Sequence, residues 1–440
     1  MGSEWQHTTI GECLNQEGGS ILTGPFGTLL KAAEYTSTGV PVISVSEVGF
    51  GRIELKSHTP RVDETITERL PKYLLREGDI VFARKGAGTA VERSALVKAD
   101  QQGWFLGSDG IRVRLPRSID ARYVSYWLQS KQHRNWMKQH AVGTTMPALN
   151  EGIVKRIPVS LPPLSEQKRI AHILGTLDGK IELNRRMNAT LEAMARALFT
   201  SWFVDFDPVR AKMDGRKPEG MDDATSSIFP DGFQQSSLGQ IPNGWEVCPL
   251  SKKIQLFSGG TPQTSEPTYW GGDVPWYSVR DAPSETDVWV THTDKRITQL
   301  GVANSAAQVL PEKTTIISAR GTVGKVALTA MPMAMNQSCY GVRGVAGYSA
   351  CFTYYAIREA ASKLQQRTHG TVFDTITTDT FNTLECIFPP SKTTAAFEHR
   401  VEPLLGQICA NLYQARIVST MRDALLPKMI KSELLISRPT

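Results

Sequence analysis

The chain has 440 residues, of which 40% are hydrophobic and 21% are charged, and its formal net charge is +6. This composition excludes a disordered chain and predicts two or three domains with sizeable cores. There is no run of about eighteen apolar residues and no basic, apolar start, so we expect neither a membrane-spanning helix nor a secretory signal. The six cysteines form no Cys-x-x-Cys pair, which favours reduced thiols and a cytoplasmic location. The mildly basic charge fits a nucleic-acid partner without proving one.

The first part of the chain combines short β-branched runs with one helical stretch. The runs at 40–45, 79–83 and 110–115 are bounded by Gly, Pro and Asp, which is typical of strands. A helical stretch follows at 120–139. We therefore predict a mixed α/β domain over residues 1–160, a size that is usual for one domain.

A different pattern begins after Pro162-Pro163. Ser165 can cap a helix there, and apolar residues then recur at steps of four and three as far as Trp202. This heptad spacing predicts a long helix over residues 161–204 that packs against another helix. Residues 205–243 are rich in Asp, Ser, Pro and Gly, so we predict a linker there with little core of its own.

The rest of the chain repeats this order, which indicates a duplicated fold. The repeat predicts a second mixed α/β domain over 244–388 and a second heptad helix over 389–435. The matched segments are 75–84 with 310–320, Gly143-Thr144-Thr145 with Gly370-Thr371-Val372, and Pro162-Pro163 with Pro389-Pro390. Within the second copy we predict strands at 315–318 and 325–328 and a helix at 352–366.

The offsets between the two copies change along the repeat. The offset is 236 between Arg84 and Arg320 (320 − 84) and 227 between the proline pairs (389 − 162). Such a change is expected when two copies of one fold differ in the length of their loops but not of their helices. We therefore interpret Arg84 and Arg320 as equivalent residues at the ends of equivalent strands.

The two matched heptad helices predict an antiparallel coiled coil with pseudo-twofold symmetry, because each domain precedes its own helix. Asn184 and Asn411 are equivalent, and a buried Asn in a seam can fix the register of pairing. Because proline breaks a helix interior, we expect the long helix to begin near Pro403 and, by equivalence, near Thr176. The alternative is that each helix packs only on its own domain. The residues predicted to form the seam are Leu177, Ile181, Asn184, Leu191, Leu198, Leu404, Ile408, Asn411, Val418 and Leu425.

Several segments carry a family resemblance. They are LPPLSEQKRIA (161–171), LDGKIELN (177–184) and ALFTSWF (197–203) in the centre, and SGGTP (258–262), YWGGDVPW (269–276) and RGTVGK (320–325) in the second domain. These segments resemble the specificity subunits of Type I restriction-modification enzymes, and the resemblance extends over nearly the whole chain. The first domain, with GPFG at 24–27, fits the family pattern more loosely.

The resemblance implies that each domain is a target-recognition domain that reads one half of a split DNA site. It implies that the paired helices space the two halves and dock two methyltransferase subunits, and that two motor-nuclease subunits complete the enzyme. S-adenosylmethionine, ATP and Mg would then belong to those partners, and this chain would hold no cofactor. The alternative is a protein-assembly scaffold whose two β-rich modules bind proteins rather than DNA.

No segment completes a catalytic motif. The nearest approach to the Asp/Asn-Pro-Pro-aromatic motif of adenine methyltransferases is Asp207-Pro208-Val209, which lacks the second proline and the aromatic residue. The glycine-rich segments 86–88 and 321–325 complete neither a dinucleotide fingerprint nor a P-loop. No His-Glu-x-x-His or paired Cys/His spacing is present, so we expect no metal site and no catalysis in this chain.

Candidate DNA-binding residues are polar side chains on glycine-rich loops, since Arg, Asn and Gln read bases and Ser, Thr and Lys hold phosphates. Arg84 and Arg320 are the leading candidates, one for each half-site, because each is followed by glycine, which lets a backbone approach DNA. For the others, a solvated loop residue is an equally good interpretation. The candidates are Lys31, Ser44, Ser46, Arg84, Lys85, Thr144 and Thr145 in the first domain, and Thr261, Tyr277, Ser278, Arg280, Arg320, Thr322, Asn336, Gln337 and Thr371 in the second.

Overall fold

The computed structural model describes residues 5–367 and 375–430. These residues form two compact units, with 5–179 and 418–430 in unit 1 and 180–367 and 375–417 in unit 2. Each unit therefore contains one globular domain and part of each long helix. No helix in the described ranges is both long and apolar enough to cross a bilayer.

Unit 1 is a mixed α/β domain. Its strands are β1 (Gln6–Thr9), β2 (Ser20–Thr23), β3 (Tyr35–Thr36), β4 (Val40–Ile43), β5 (Arg61–Val62), β6 (Ile80–Ala83), β7 (Ser94–Leu96), β8 (Phe105–Leu106), β9 (Gly110–Arg114) and β10 (Pro158–Leu161). Its helices are α1 (Ile10–Leu14), α2 (Glu64–Arg69), α3 (Ala121–Gln129), α4 (Lys131–His140) and α5 (Glu151–Lys155), followed by α6 (Leu164–Phe203), which continues into unit 2. The strands and helices predicted for this domain are confirmed, and Ser130 separates α3 from α4.

Two four-stranded sheets form the centre of unit 1. One has the order β2-β9-β6-β7 with antiparallel neighbours, and the other has the order β3-β5-β4-β8, in which β4 and β8 are parallel. β6 is buried on both faces because its residues alternate between two cores: Ile80 and Phe82 face the core under α3, and Val81 and Ala83 face the second sheet. This double burial explains why β6 reads as a continuous apolar run.

Unit 2 repeats this plan. Its strands are β11 (Phe233–Ser236), β12 (Gly239–Pro242), β13 (Glu246–Pro249), β14 (Ile254–Ser258), β15 (Trp270–Tyr277), β16 (Trp289–Val290), β17 (Lys295–Ile297), β18 (Thr315–Ser318), β19 (Val326–Thr329), β20 (Ala334–Met335), β21 (Cys339–Gly344) and β22 (Glu385–Phe388). Its helices are α7 (Asp207–Met213), α8 (Asp223–Ser227), α9 (Gln299–Ala303), α10 (Ala350–Arg367), α11 (Thr378–Thr383) and α12 (Ser391–Ile430), which continues into unit 1.

The sheets of unit 2 correspond to those of unit 1. The order β14-β21-β18-β19-β16 places β18 between β21 and β19, as β6 lies between β9 and β7, and β15 is parallel to β20 as β4 is to β8. The duplication predicted from the sequence is thus confirmed at the level of strand order.

The segment predicted to be a linker is packed into the core of unit 2, so that prediction is wrong. Its apolar residues Phe206, Val209, Phe229 and Ile241 are at most 6% exposed. The ring of Trp202, at the end of α6, meets Phe229 edge to face at a centroid distance of 5.1 Å. The many turn-forming residues between these apolar positions led to the prediction of a linker, although the apolar residues themselves are buried.

The long helices run antiparallel within each unit. In unit 2, Asn184 of α6 donates to the carbonyl of Asn411 of α12 at 3.2 Å, and further along α6 the ring of Phe199 lies 5.9 Å from that of Phe397. In unit 1, Asp178 pairs with Arg422 at 2.7 Å. These contacts exclude the alternative in which each helix packs only on its own domain.

The predicted seam residues are buried to different extents. The buried members all lie in unit 2, and they are Ile181, Asn184, Ile408 and Asn411. The members that are partly buried against a core are Leu191, Leu198, Leu404 and Leu425, and the remaining half-buried ones are Leu177 and Val418.

Both helices are continuous, so the expectation that they begin near Pro403 and Thr176 is wrong. α12 runs unbroken from Ser391 through Pro403, and α6 runs unbroken from Leu164, one residue before the predicted cap Ser165. A proline inside a helix costs roughly 3 kcal/mol. Packing on both sides of Pro403 offsets this cost, because Val401 and Leu405 are fully buried in the core of unit 2.

Candidate nucleic-acid interface

In unit 1 the candidate residues meet where the central strands end. Ser44 follows β4, Arg84 and Lys85 follow β6, and Asp109 precedes β9. Two backbone hydrogen bonds fix the arrangement: Arg84 N donates to Asp109 O at 2.8 Å, and Gly107 N donates to Ile43 O at 2.8 Å. The strand order therefore brings together polar residues that are distant in sequence.

Arg84 and Lys85 share one carboxylate. Lys85 Nζ lies 3.1 Å from Asp109 Oδ1, and an Arg84 guanidinium nitrogen lies 3.7 Å from the same oxygen. The guanidinium also lies over the ring of Phe26, 4.4 Å from its centroid. The Asp109 carboxylate acts on Tyr35 as well, because it adds to the effect of burial in raising the pKa of that phenol. Two cations therefore share the Asp109 carboxylate at this strand end.

A short loop lies beside Lys85. Val142 and Ala148 exchange both backbone hydrogen bonds at 2.9 Å, and Lys85 forms a β-bridge with Ala148. The predicted residues Thr144 and Thr145 are exposed at the tip of this loop. The tip also exposes two apolar side chains that sequence reasoning missed, and these are Val142 at 65% and Met146 at 59%.

Ser44 and Ser46 each donate a hydrogen bond to the buried carboxylate of Glu47. Ser44 N donates to Glu47 Oε2 at 3.0 Å, and Ser46 Oγ donates to Glu47 Oε1 at 2.5 Å. Glu47 itself is fully buried. Lys31 is exposed in the loop before β3, and no contact among the described residues joins it to the Arg84 cluster.

Unit 2 presents a corresponding cluster. Ser278 follows β15, and its backbone N–H donates to Asp281 Oδ2 at 2.8 Å, as Ser44 does to Glu47. Thr261 donates its hydroxyl to Gln337. Asn336, next to Gln337, is half-buried, and Arg280 is exposed beside Asp281.

The turn between β18 and β19 presents Arg320 and Thr322 to solvent. Ser318 closes this turn: its hydroxyl donates to the carbonyl of Thr322 at 2.5 Å and accepts from Lys325 N at 2.8 Å. Gly321 has a φ of +78°, a conformation that favours glycine. Arg320 makes no ion pair in the part of the chain that the structure describes.

The prediction that Tyr277 contacts DNA is wrong, because its side chain is 0% exposed in the core beneath β18. Burial raises the pKa of its phenol. Thr371 lies outside the described residues.

The strand register corrects the equivalence of Arg84 and Arg320. Arg84 O accepts from Leu149 N at 2.6 Å, and in unit 2 the same bond joins Ala319 O to Ile376 N at 2.9 Å. The offset is thus 235 (319 − 84), and Arg84 corresponds to Ala319. The sequence match had inserted one residue before Arg320, and a shift of one residue moves a side chain to the opposite face of a strand.

The residue equivalent to Arg320 is therefore Lys85. Lys85 bridges Ala148, and Arg320 bridges Thr375, which is the residue equivalent to Ala148 at the constant offset of 227 (375 − 148). Both cations follow a fully buried strand and precede a glycine of positive φ, +145° at Gly86 and +78° at Gly321.

Among residues 5–367 and 375–430, no group of three or more His, Cys, Asp or Glu side chains is placed to hold a metal ion. Burial raises the pKa of the Cys339 thiol to about 12. A thiol that is protonated at neutral pH is a poor nucleophile.

Comparison with known proteins gives a consistent result. A family model described as the Type I restriction modification DNA specificity domain matches residues 3–193 and 242–422. The chain is 28% identical over 408 residues to the Type I restriction enzyme HindI specificity subunit of Haemophilus influenzae, a match that covers 82% of this chain and 88% of that protein. It is 25% identical over 332 residues to the MjaIX specificity subunit of Methanocaldococcus jannaschii, with coverage of 74% and 72%.

A solved structure has the same fold. The Type I restriction-modification S subunit from M. genitalium aligns over 97% of this chain and 96% of its own, with a TM-score of 0.56 and 16% sequence identity.

Proposed function

The chain belongs to the Type I restriction modification DNA specificity family, and we propose that it is the specificity subunit of such an enzyme, with each domain reading one half of a bipartite DNA site. The observation that carries this proposal is the strand-end cluster that recurs in both units, with an exposed cation at the same backbone position. A duplicated reader suits a site with two halves, as paired domains do in other DNA-binding proteins.

The long helices would set the spacing of the two halves and dock two methyltransferase subunits. Support for docking comes from large apolar side chains that the helices leave exposed within unit 2. On α6 these are Leu183, Met187 and Met194, and on α12 they are Tyr413 and Ile417, which is 62% exposed. Exposed apolar stripes of this kind mark protein interaction sites. Two motor-nuclease subunits would complete the enzyme.

We assign no catalytic step to this chain. S-adenosylmethionine, ATP and Mg would be bound by the partner subunits. Purified chain supplied with S-adenosylmethionine and DNA should transfer no methyl group, and addition of a methyltransferase partner should produce transfer. Turnover by the chain alone that persists after removal of contaminating partner would contradict this assignment.

Mapping of methylated sites tests the proposed function. Genomic DNA from cells that carry this chain with its partner subunits should be methylated at one split motif, and cells that lack only this chain should show no such motif. Exchange of the first recognition domain for that of another family member should change one half of the motif and leave the other half intact. A complex that assembles with its partners but binds no duplex DNA would instead favour the protein-assembly scaffold.

A further inference from the structure

We propose that Lys85 and Arg320 are the sequence-independent phosphate contacts of the two recognition domains, so that they anchor the DNA and do not read its bases. This inference rests on the proposed function and assigns a chemical partner to one pair of residues within it. Its basis is the comparison of the two units, which contain the same fold with different side chains.

Two half-sites of different sequence share their sugar-phosphate backbone. If the domains read different sequences, the bases that they meet differ, but the sugar-phosphate backbone has the same charge and spacing at every site. A side chain retained at the same backbone position in both domains therefore suits the phosphate, and a side chain found in only one domain suits a base. This distinction requires the structural register, because the sequence match placed the wrong residues together.

Lys85 and Arg320 carry a positive charge that is retained at the same backbone position in both domains. Their backbone positions are the same, since each forms the β-bridge that follows its central strand. The Lys85 side chain is 45% exposed, and Arg320 is exposed. Lysine and arginine both contact phosphates through their positive charge, whereas the compact ammonium and the planar guanidinium present different donor geometries to a base edge. The exchange of one for the other between the units thus fits a phosphate contact.

The neighbouring positions carry side chains that differ between the two domains. Arg84 is replaced by Ala319 in unit 2. Asp109, whose backbone carbonyl accepts from Arg84 N at 2.8 Å, is replaced by Ser338, whose carbonyl accepts from Ala319 N at 2.7 Å. Ser108 is accordingly replaced by Gln337. These positions differ in charge and in hydrogen-bonding groups, as residues that read different bases would.

Asp109 makes the two contacts unequal. Its carboxylate lies 3.1 Å from Lys85 Nζ, so Lys85 must exchange a carboxylate for a phosphate when DNA binds. At the position equivalent to Asp109, unit 2 has Ser338, which carries no carboxylate, so Arg320 has no such exchange to make with that residue. We therefore expect Arg320 to contribute more affinity than Lys85, and we expect Asp109→Asn to tighten binding through the release of Lys85.

The test uses the full chain in complex with its methyltransferase partner and duplexes that carry the mapped site, the site with its first half scrambled, or the site with its second half scrambled. Lys85→Ala should weaken binding by one factor that is the same for all three duplexes. Arg320→Ala should likewise weaken binding equally on all three, by a larger factor of its own. Each should reduce the slope of log affinity against log salt by about 1. The methylated motif should stay unchanged, and Lys85→Arg and Arg320→Lys should bind like wild type.

The matched control is Lys98→Ala. Lys98 is exposed two residues after the end of β7. Leu96, the last residue of β7, pairs with Ile80 at the start of β6, whereas Lys85 follows the end of β6. Lys98 and Lys85 therefore lie at opposite ends of the sheet. This substitution should change neither affinity nor slope. Melting temperatures of all variants should stay within a few degrees of wild type, which shows that they fold.

Two results would overturn the inference. One is loss of discrimination in a single half-site by Lys85→Ala or Arg320→Ala, and the other is an unchanged salt slope in both. Failure of the proposed function looks different, because the wild-type complex would then fail to prefer the mapped duplex over a fully scrambled one. On the duplex with its first half scrambled, where Asp109 has no cognate base to contact, tighter binding by Asp109→Asn supports the inference and weaker binding contradicts it.

Discussion

Asn411 donates its side-chain amide to Asn188 at 2.9 Å, and both residues are buried between the long helices of unit 2. Asn188 in turn donates to Asp287 at 3.1 Å, so the bond between the helices extends into the recognition domain. Gln407 donates to Asn411 at 2.9 Å and satisfies its side-chain oxygen. The network thus joins α6, α12 and the loop before β16 through hydrogen bonds that only one register permits.

We expect Asn411→Ala to lower the free energy of unfolding of the chain by roughly 1–3 kcal/mol, because the substitution leaves the buried side-chain oxygen of Asn188 without its donor. Urea unfolding followed by circular dichroism measures the loss. Thr190→Ala is the control on an exposed position of α6, and it should change stability by less than about 0.5 kcal/mol. Equal effects of the two substitutions would show that the network is not structural.

The sequence was sufficient for elements that local residue patterns specify. The strand at 315–318 and the helix at 352–366 were predicted within a few residues, the strand because a β-branched run is typical of extended backbone. The continuity of α12 at Pro403 was not predicted, because it depends on contacts with residues distant in sequence. One of these is Trp289, whose indole donates to the carbonyl of Leu405 at 2.7 Å.

The sequence indicated which types of residue lie at the candidate site. It did not show which residues of the two domains occupy the same backbone position. Arg84 and Arg320 both stand at strand ends, yet only the backbone hydrogen bonds show that Arg320 corresponds to Lys85. Tyr277 was misplaced for a related reason, because its strand is buried on both faces and no alternation marks the inward side. Asp109 was missed because it precedes β9 in sequence and meets Arg84 only when the sheet forms.

Arg84 is the cation found only in unit 1, and we expect it to read a base of the first half-site. Arg84→Ala should weaken binding to the mapped site by roughly 1–3 kcal/mol and relax discrimination at one position of that half. The second half provides the internal control and should be read as before. Arg84→Lys should not restore full discrimination, since an ammonium lacks the planar pair of donors with which a guanidinium contacts a base edge. Retention of both halves by the alanine variant would exclude this role.

His133 predicts a dependence of stability on pH. Its side chain is 3% exposed, its ring lies 4.7 Å from that of Trp127, and burial lowers its pKa from 6.5 to about 4. Below pH 6.5 the unfolded chain binds a proton that the folded chain does not accept until about pH 4. The free energy of unfolding should therefore fall as the pH falls through this window, by up to about 3 kcal/mol.

Urea unfolding at several pH values between 4 and 7 measures this effect. His133→Gln should flatten the dependence, because the unfolded chain then has no proton to gain at this position. His58→Gln, at an exposed position, is the control and should leave the dependence unchanged. A wild-type stability that is constant between pH 7 and pH 4 would contradict the buried neutral imidazole.

The two continuous helices predict that the gap between half-sites follows helix length. Insertion of seven residues after Gly179 in α6 and seven after Ile417 in α12 would preserve the heptad seam and lengthen each helix by about 10 Å. At about 3.4 Å per base pair, the gap in the methylated motif should grow by about three base pairs while both half-sites stay the same. The same seven residues inserted after Gly215, where the chain turns with a φ of +69° and open space around it, should leave the gap unchanged. Full activity with an unchanged gap after the double helix insertion would mean that the helices do not set the spacing.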